Sequence, residues 1–321
     1  MTDRRPPDFF LLGVPKAGTT ALHAALTQHP GLYLSPVKEP KYYLCGDAPP
    51  AAYRGPGDAH SQQEWVWRRD DYLALFDGAP EGALRGESTP FYLYHRDARR
   101  RIAEDAPAAK LVVVLRDPVD RAYSNWMHLW MDGLEPVPDL VAAAALEEQR
   151  IADGWAPFWH YRGLGRYGEQ LQDLYRHVPR EQVLVLRYRE IVDAPTATLA
   201  RVFAFLGVPS IEVAEIPPDN SRGYVGPGVR NAVLGRVIRA GAWAGQFAPP
   251  EHWRRLSAPL VGQLHRGGSA DRPRLTPEQR ATLLEPLRDD IALLEEVTGE
   301  SFADWLDPQR AGSTFAGRRG S

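Results

Sequence analysis

The run Leu111-Val112-Val113-Val114-Leu115, entered through Lys110, restricts this fold more than any other segment. With no alternation of polar and apolar positions, it describes a strand covered on both faces, as in a parallel sheet lying between layers of helix. Parallel neighbours need a crossover, and one follows at once. Asp117 suits an N-cap and Pro118 the first helical position, with helical spacing continuing to about Met131. Phe9–Gly13 repeats the pattern: a short apolar strand, the Gly-containing loop Pro15–Thr20, and a helix over Thr19–Gln28 with Leu22, Ala25 and Leu26 on one face. A third strand is expected at Gln182–Leu186, followed after Tyr188 by a helix over Ala194–Leu206 that stops at Gly207. Strands alternating with helices predict an α/β fold with a central, mainly parallel sheet flanked by helices. Ligands of such sheets sit outside the carboxyl ends of the strands, where all three loops emerge.

The 321 residues read as a single domain over 1–308, with irregular insertions near 46–69 and 217–275 and a flexible tail over 309–321. Gly and Pro together number 57 and concentrate in the irregular stretches. Leu275–Leu306 is expected to be helical, started by Thr276 and Pro277, with Leu283, Leu287, Ile291 and Leu294 as its core stripe. A net charge of −3 excludes a nucleic-acid binder that works through a broad basic surface. One cysteine, Cys45, allows no intramolecular disulfide, and no Cys/His cluster has zinc spacing, so no metal is expected. The apolar runs fall far short of the roughly 20 residues that span a bilayer. These features predict a cytoplasmic protein without a transmembrane segment.

Gly13-Val14-Pro15-Lys16-Ala17-Gly18-Thr19-Thr20 lies between a strand and a helix, where backbone N–H groups and the helix dipole favour an anion. A nucleotide-hydrolysing P-loop has the order G-x-x-x-x-G-K-[ST]. Here the two glycines keep that spacing, but Thr19 stands in the lysine position and Lys16 lies inside the loop. The loop is thus P-loop-like with a displaced ammonium. Lysine is scarce: 34 of the 38 basic residues are arginine, and the four lysines are Lys16, Lys38, Lys41 and Lys110. Either codon bias has replaced most lysines by arginine and the survivors are placed by chance, or a compact ammonium does work at Lys16 that a planar guanidinium cannot.

With these motifs the chain resembles the sulfotransferases that use 3′-phosphoadenosine-5′-phosphosulfate (PAPS). Pro15 to Thr20 looks like their loop for the 5′-phosphosulfate. Leu111 to Leu115 followed by Arg116-Asp117-Pro118, with Ser124 eight residues after Arg116, looks like their 3′-phosphate motif. Val37-Lys38-Glu39-Pro40-Lys41-Tyr42-Tyr43 is similar to the segment carrying the catalytic carboxylate in the carbohydrate-modifying branch. Glu87-Ser88-Thr89-Pro90-Phe91-Tyr92 resembles a substrate-side motif, and the strand ending at Tyr188 resembles the one whose tyrosine lies near the adenine. Asn220-Ser221-Arg222-Gly223 stands where family members close a loop over the nucleotide.

The resemblance implies transfer of a sulfuryl group from PAPS to a hydroxyl of a carbohydrate, glycolipid or natural product, with no metal. Glu39 would be the base and Lys16 would stabilise the leaving phosphate. Pro15, Lys16, Ala17, Gly18, Thr19, Thr20, Arg116, Ser124, Tyr188, Ser221 and Arg222 would hold the nucleotide. His60, His95 and His128 are rival bases, of which His128, one turn past Ser124, ranks first. Trp65, Trp67, Trp126, Trp130, Trp155 and Trp159 are either core packing or platforms for a small-molecule or glycan acceptor. Two other classes stay open: an ATP-dependent phosphotransferase, and a non-catalytic nucleotide-binding module.

Overall fold

The computed structural model of the chain describes residues 4–213, 226, 228–244, 250–264 and 272–310. Its centre is a five-stranded sheet of β1 (Phe9–Gly13), β2 (Leu32–Leu34), β3 (Leu84–Ser88), β4 (Lys110–Leu115) and β5 (Val183–Arg187), in the order β2-β3-β1-β4-β5. Every pairing is parallel, so the expected mainly parallel sheet is parallel throughout. Leu111 to Leu115 are each at most 1% exposed, which is why the run carries no alternation. The central strands β1 and β4 lead into α1 (Thr19–Leu26) and α2 (Pro118–Met131). Asp117 caps α2 by accepting from Val119 and Asp120 N–H at 3.0 and 3.1 Å.

Strands β2 and β3 are absent from the sequence expectation, for a physical reason. β2 is three residues long, and β3 reads Leu-Arg-Gly-Glu-Ser, with no hydrophobic signature. Gly86 in β3 lies under the Phe9 ring, where a Cβ would come within 2.0 Å of the ring carbon Cζ. Glu87 in the same strand is fully buried. Close backbone approach and a satisfied buried carboxylate replace the apolar side chains that would have marked the strand.

Two of the expected irregular stretches hold regular structure. Residues 46–69 contain a short helix at Asp58–Gln62. Within 217–275, helices Val229–Ala244 and Pro250–Leu264 pack on each other around Ile238 and Leu264. This pair rests on the turn after α2, where Arg239 donates to Gly133 O at 2.9 Å.

The C-terminal helices follow expectation. Thr276 caps Pro277–Leu284 in a reciprocal capping box with Gln279, and Leu283, Leu287, Ile291 and Leu294 are buried. Arg280, 2% exposed, reaches back to Asp117 and to Asp120 at 2.9 Å, tying this region to the start of α2. No helix among the described residues is long and apolar enough to cross a membrane. The predicted tail beyond residue 310 lies outside the described residues.

Candidate active site

All the singled-out loops that are described leave the carboxyl edge of the sheet. The loop after β1 turns twice through left-handed backbone, at Lys16 (φ 70°) and Gly18 (φ 82°). Alternating handedness turns successive N–H groups to one side, the geometry of an anion-binding nest. Gly18 precedes α1 without a side-chain cap, so the first-turn amides are left for another acceptor. A side chain at Gly18 would be strained by its φ and would press on Tyr188, with a Cβ only 3.1 Å from two ring carbons.

Arg116, at the end of β4, joins these pieces. It donates to Lys16 O at 2.9 Å, and its guanidinium carbon lies 4.7 Å from the centre of the Tyr188 ring. Its own carbonyl accepts from Tyr167 Oη at 2.8 Å. Lys16, Gly18, Arg116 and Tyr188, separated by up to 172 positions in the sequence, thus form one contact group. Pro15, Ala17 and Thr19 are buried within the loop and Thr20 is exposed. Ser124 is half-buried on α2. Ser221 and Arg222 lie outside the described residues.

The second group forms between β2 and β3. Glu39 and Lys41 both have left-handed backbone, φ 62° and 64°. That turn is pinned to the end of β3: Glu39 N–H donates to Ser88 O at 3.0 Å, and Lys41 N–H to Thr89 Oγ1 at 3.3 Å. Glu39 is held between two cations, Lys38 at 2.6 Å and Lys41 at 4.0 Å, with its side chain 26% exposed. It is therefore an ion-pair partner as well as an accessible carboxylate. Burial pulls the Lys41 ammonium below its ordinary value, opposed by Glu39 and reinforced by Lys38.

Beneath this turn, Glu87 accepts from Thr89 Oγ1 at 2.5 Å, Tyr72 Oη at 2.7 Å and Tyr92 Oη at 3.1 Å. Burial pushes its carboxyl up to about 7, against the pull of those three hydroxyls, and nearby Glu39 adds to the rise. Thr89 joins the two levels, donating to Glu87 and accepting from Lys41. His23 of α1 shares a 2.8 Å hydrogen bond with Ser88 Oγ, and burial, helped by Lys38, brings its ring down to about 4. Sequence reading placed Glu87 in a motif but missed His23, Tyr72 and Arg280, which become neighbours of the site only through folding.

Residues of both groups line one cavity of about 1330 Å³, whereas Ala17, Arg116 and Ser124 are not part of its lining. Pro15, Lys16, Gly18, Thr19, Thr20 and Tyr188 contribute to its wall, as do Glu39 and Lys41. Of the rival histidines, His128 lines it as well, 3.6 Å from Asp132 and edge-on to Phe158. His95 is absent from the lining and sits at the start of helix Arg96–Asp105. The tryptophans divide: Trp65 and Trp159 line the cavity, whereas Trp126 stacks on Trp130 beside the core.

The chain is similar to known proteins. Residues 7–212, more than half of the chain, match the model of the sulfotransferase family. Heparan sulfate glucosamine 3-O-sulfotransferase 3A1 of mouse is 30% identical over 206 residues, 64% of this chain and 47% of that protein. Bifunctional heparan sulfate N-deacetylase/N-sulfotransferase 3 of mouse is 27% identical over 211 residues, 64% of this chain and 22% of that protein. The chain spans about half the length, or less, of the curated relatives it matches. A crystal structure of a sulfotransferase from Alicyclobacillus acidocaldarius superimposes with a TM-score of 0.72 at 28% identity, covering 94% of this chain and 98% of that one. Its likeness extends past residue 212 into the C-terminal helices. On sequence and on fold alike, the chain belongs to the sulfotransferase family.

Proposed function

We propose that this chain transfers a sulfuryl group from PAPS to a hydroxyl of a carbohydrate, glycolipid or natural-product acceptor. The observation that carries the reading is the shared cavity: an uncapped helix start with Lys16 in its loop, and Glu39 on another part of the same wall. Family membership supports the reaction type, and the heparan sulfate enzymes among its relatives support a carbohydrate-bearing acceptor.

The chemistry follows from the residues. Loop amides and the hydroxyls of Thr19 and Thr20 bind the 5′-phosphate, while Arg116 and Ser124 take the 3′-phosphate. Tyr188, with Arg116 across its ring, offers a face for the adenine. Glu39 accepts the proton of the acceptor hydroxyl as its oxygen bonds to sulfur. In line with it, the bond from sulfur to the bridging oxygen breaks, and Lys16 stabilises the charge that collects on the departing phosphate. The products are the sulfate ester, adenosine 3′,5′-bisphosphate and a proton on Glu39.

Two measurements test this. Adenosine 3′,5′-bisphosphate without metal should raise the melting temperature, as any ligand selective for the native state does. Radiolabelled sulfate should pass from PAPS to a hydroxyl in a panel of glycosides and alcohols. Stabilisation by Mg-ATP alone, with no label transferred, would replace this reading with the phosphotransferase one.

A further inference from the structure

Charge and apolar surface in the cavity wall narrow the acceptor. The lining carries two lysines, Lys16 and Lys41, against the carboxylates Glu39, Asp58, Asp132 and Glu212. Although the chain has 34 arginines, none lines the cavity among the described residues. A polyanionic glycan needs a surface of opposite potential, and like-charge juxtaposition disfavours it. Lys16 belongs to the donor loop; on the Glu39 side Lys41 lines the cavity, and Lys38, outside the lining, is paired with Glu39 at 2.6 Å. The Lys41 ammonium is already placed, 4.0 Å from Glu39, 3.4 Å from Ser61 Oγ and 5.4 Å from the centre of the Trp65 ring.

Around Glu39 the same wall is built of Leu44, Tyr53, Trp65, Phe91, Leu134 and Phe158, none of them fully buried. They come from five separate segments, and their exposed portions face a common space. Phe91 and Phe158 meet edge to face at 5.9 Å, and Tyr53 lies 6.3 Å from Trp65. Asp58, the carboxylate among them, is consumed by the protein: it accepts from Gly55 N–H and Ala156 N–H at 2.8 Å and from Trp159 Nε1 at 2.9 Å. A concave, mostly apolar lining with few oriented polar groups is the usual form of a site for an apolar small molecule.

Resting on the transferase reading above, we infer that the acceptor is an uncharged alcohol with an extended apolar body. Its hydroxyl meets Glu39, and its body lies against Trp65, Phe91, Leu134 and Phe158. A polyanionic oligosaccharide is a poor ligand for this wall.

The test is equilibrium binding at saturating adenosine 3′,5′-bisphosphate and about 0.15 M salt, the physiological ionic strength at which exposed charges are screened beyond ~8 Å. The probes are methyl, hexyl and octyl glucoside and an N-sulfated glucosamine–glucuronate hexasaccharide. Affinity should rise roughly two- to four-fold per added methylene, the value of burying each group. Phe158→Ala and Leu134→Ala should flatten that dependence and leave bisphosphate affinity unchanged. Two variants are used because Phe158 also packs on His128. Affinity independent of chain length, or tighter binding of the hexasaccharide than of octyl glucoside, would overturn the inference. If the bisphosphate itself does not bind, the transferase reading fails instead, and the glucoside series is read on the free protein.

Discussion

The phosphate loop and the Glu39 wall meet in one cavity, yet the chain builds them in different ways. The loop is mostly backbone: eight consecutive residues from Gly13 to Thr20, with left-handed turns at Lys16 and Gly18, braced by Arg116 and Tyr188 at the ends of neighbouring strands. The other wall is mostly side chain, drawn from residues near 39–44, 53–65, 90–91, 128–134 and 156–159. A backbone site recognises an anion through geometry that few sequences can change. A side-chain site can be refitted one residue at a time. In the proposed reaction the first takes the donor and the second selects the acceptor, a division that mutation can test.

The largest expected effect is at Glu39. Glu39→Gln should lower turnover by roughly 10²–10⁴ with donor affinity intact. Residual activity should recover as pH rises towards the acceptor's own pKa, because solvent then removes the proton. A pH–rate profile with donor binding measured alongside checks this; unchanged turnover at neutral pH would move the base elsewhere, with His128 next to be mutated.

Arg280 supports the donor side from the far end of the chain. Asp117 is buried beside Asp120, and burial followed by that neighbour pushes its carboxyl up to about 6 even with Arg280 opposing. Arg280→Met strands both carboxylates in the interior, so it should cost about 3–5 kcal/mol in denaturant unfolding. A loss under about 1 kcal/mol would mean that water reaches the pair.

Lys16→Ala should slow turnover by about 10²–10³, the usual loss for one transition-state charge stabiliser. Lys16→Arg should restore only part of it, since a planar guanidinium is bulkier than an ammonium. Full rescue by arginine would show that charge alone suffices there.

Glu87 tests how firmly the acceptor wall is held. Its pKa is raised in the fold from an ordinary 4.5 to about 7, so the stability tied to its bound proton is full below pH 4.5 and is lost as pH rises through about 7. That amounts to about 3 kcal/mol. His23 and His160, the latter buried at 2.8 Å from Tyr94 Oη, are both lowered to about 4 chiefly by burial, so they act in the opposite direction and lose stability as pH falls from 6.5 towards 4. Comparing wild type with Glu87→Gln across pH 4.5–8 isolates the carboxyl, because the histidines are common to both. An identical pH dependence in the two proteins would mean that Glu87 titrates as an ordinary carboxyl.

The smallest effect separates two jobs of one residue. Arg116→Ala should weaken adenosine 3′,5′-bisphosphate by about 1.5–3 kcal/mol, the range for hydrogen bonds to charged groups. Because Arg116 also holds the Lys16 carbonyl, adenosine 5′-phosphate should weaken too, but by less. Equal losses in calorimetry would reduce Arg116 to a brace for the loop.

How much of this was legible depended on how local each signal is. Strands β1 and β4 and helix α2 fell where expected, because a strand covered on both faces and a Pro-started helix declare themselves over five to fourteen residues. The phosphate loop was legible because its glycines and lysine are consecutive. Strand β3 was not, since Gly86 and Glu87 are explained only by the Phe9 ring and the tyrosine hydroxyls that fold onto them. The helices at Val229–Ala244 and Pro250–Leu264 were hidden because they pack mainly on each other, the first has no strong apolar stripe, and the second carries Pro259 in its interior.

The amino-acid order was enough to expect a mainly parallel α/β sheet and a loop suited to an anion after its first strand, and the family resemblance added Glu39 to Lys16 as a candidate. Tertiary structure alone decided that the Lys38-Glu39-Pro40-Lys41 turn sits over a buried carboxyl, and that Arg280 neutralises the start of α2 from 163 residues away. It also decided that apolar and aromatic side chains from five segments share one wall. The physical reason is the range of the forces involved. Hydrogen-bond geometry and helix capping act over a few residues. Burial, desolvation and charge pairing depend on which distant parts of the chain come to exclude water together.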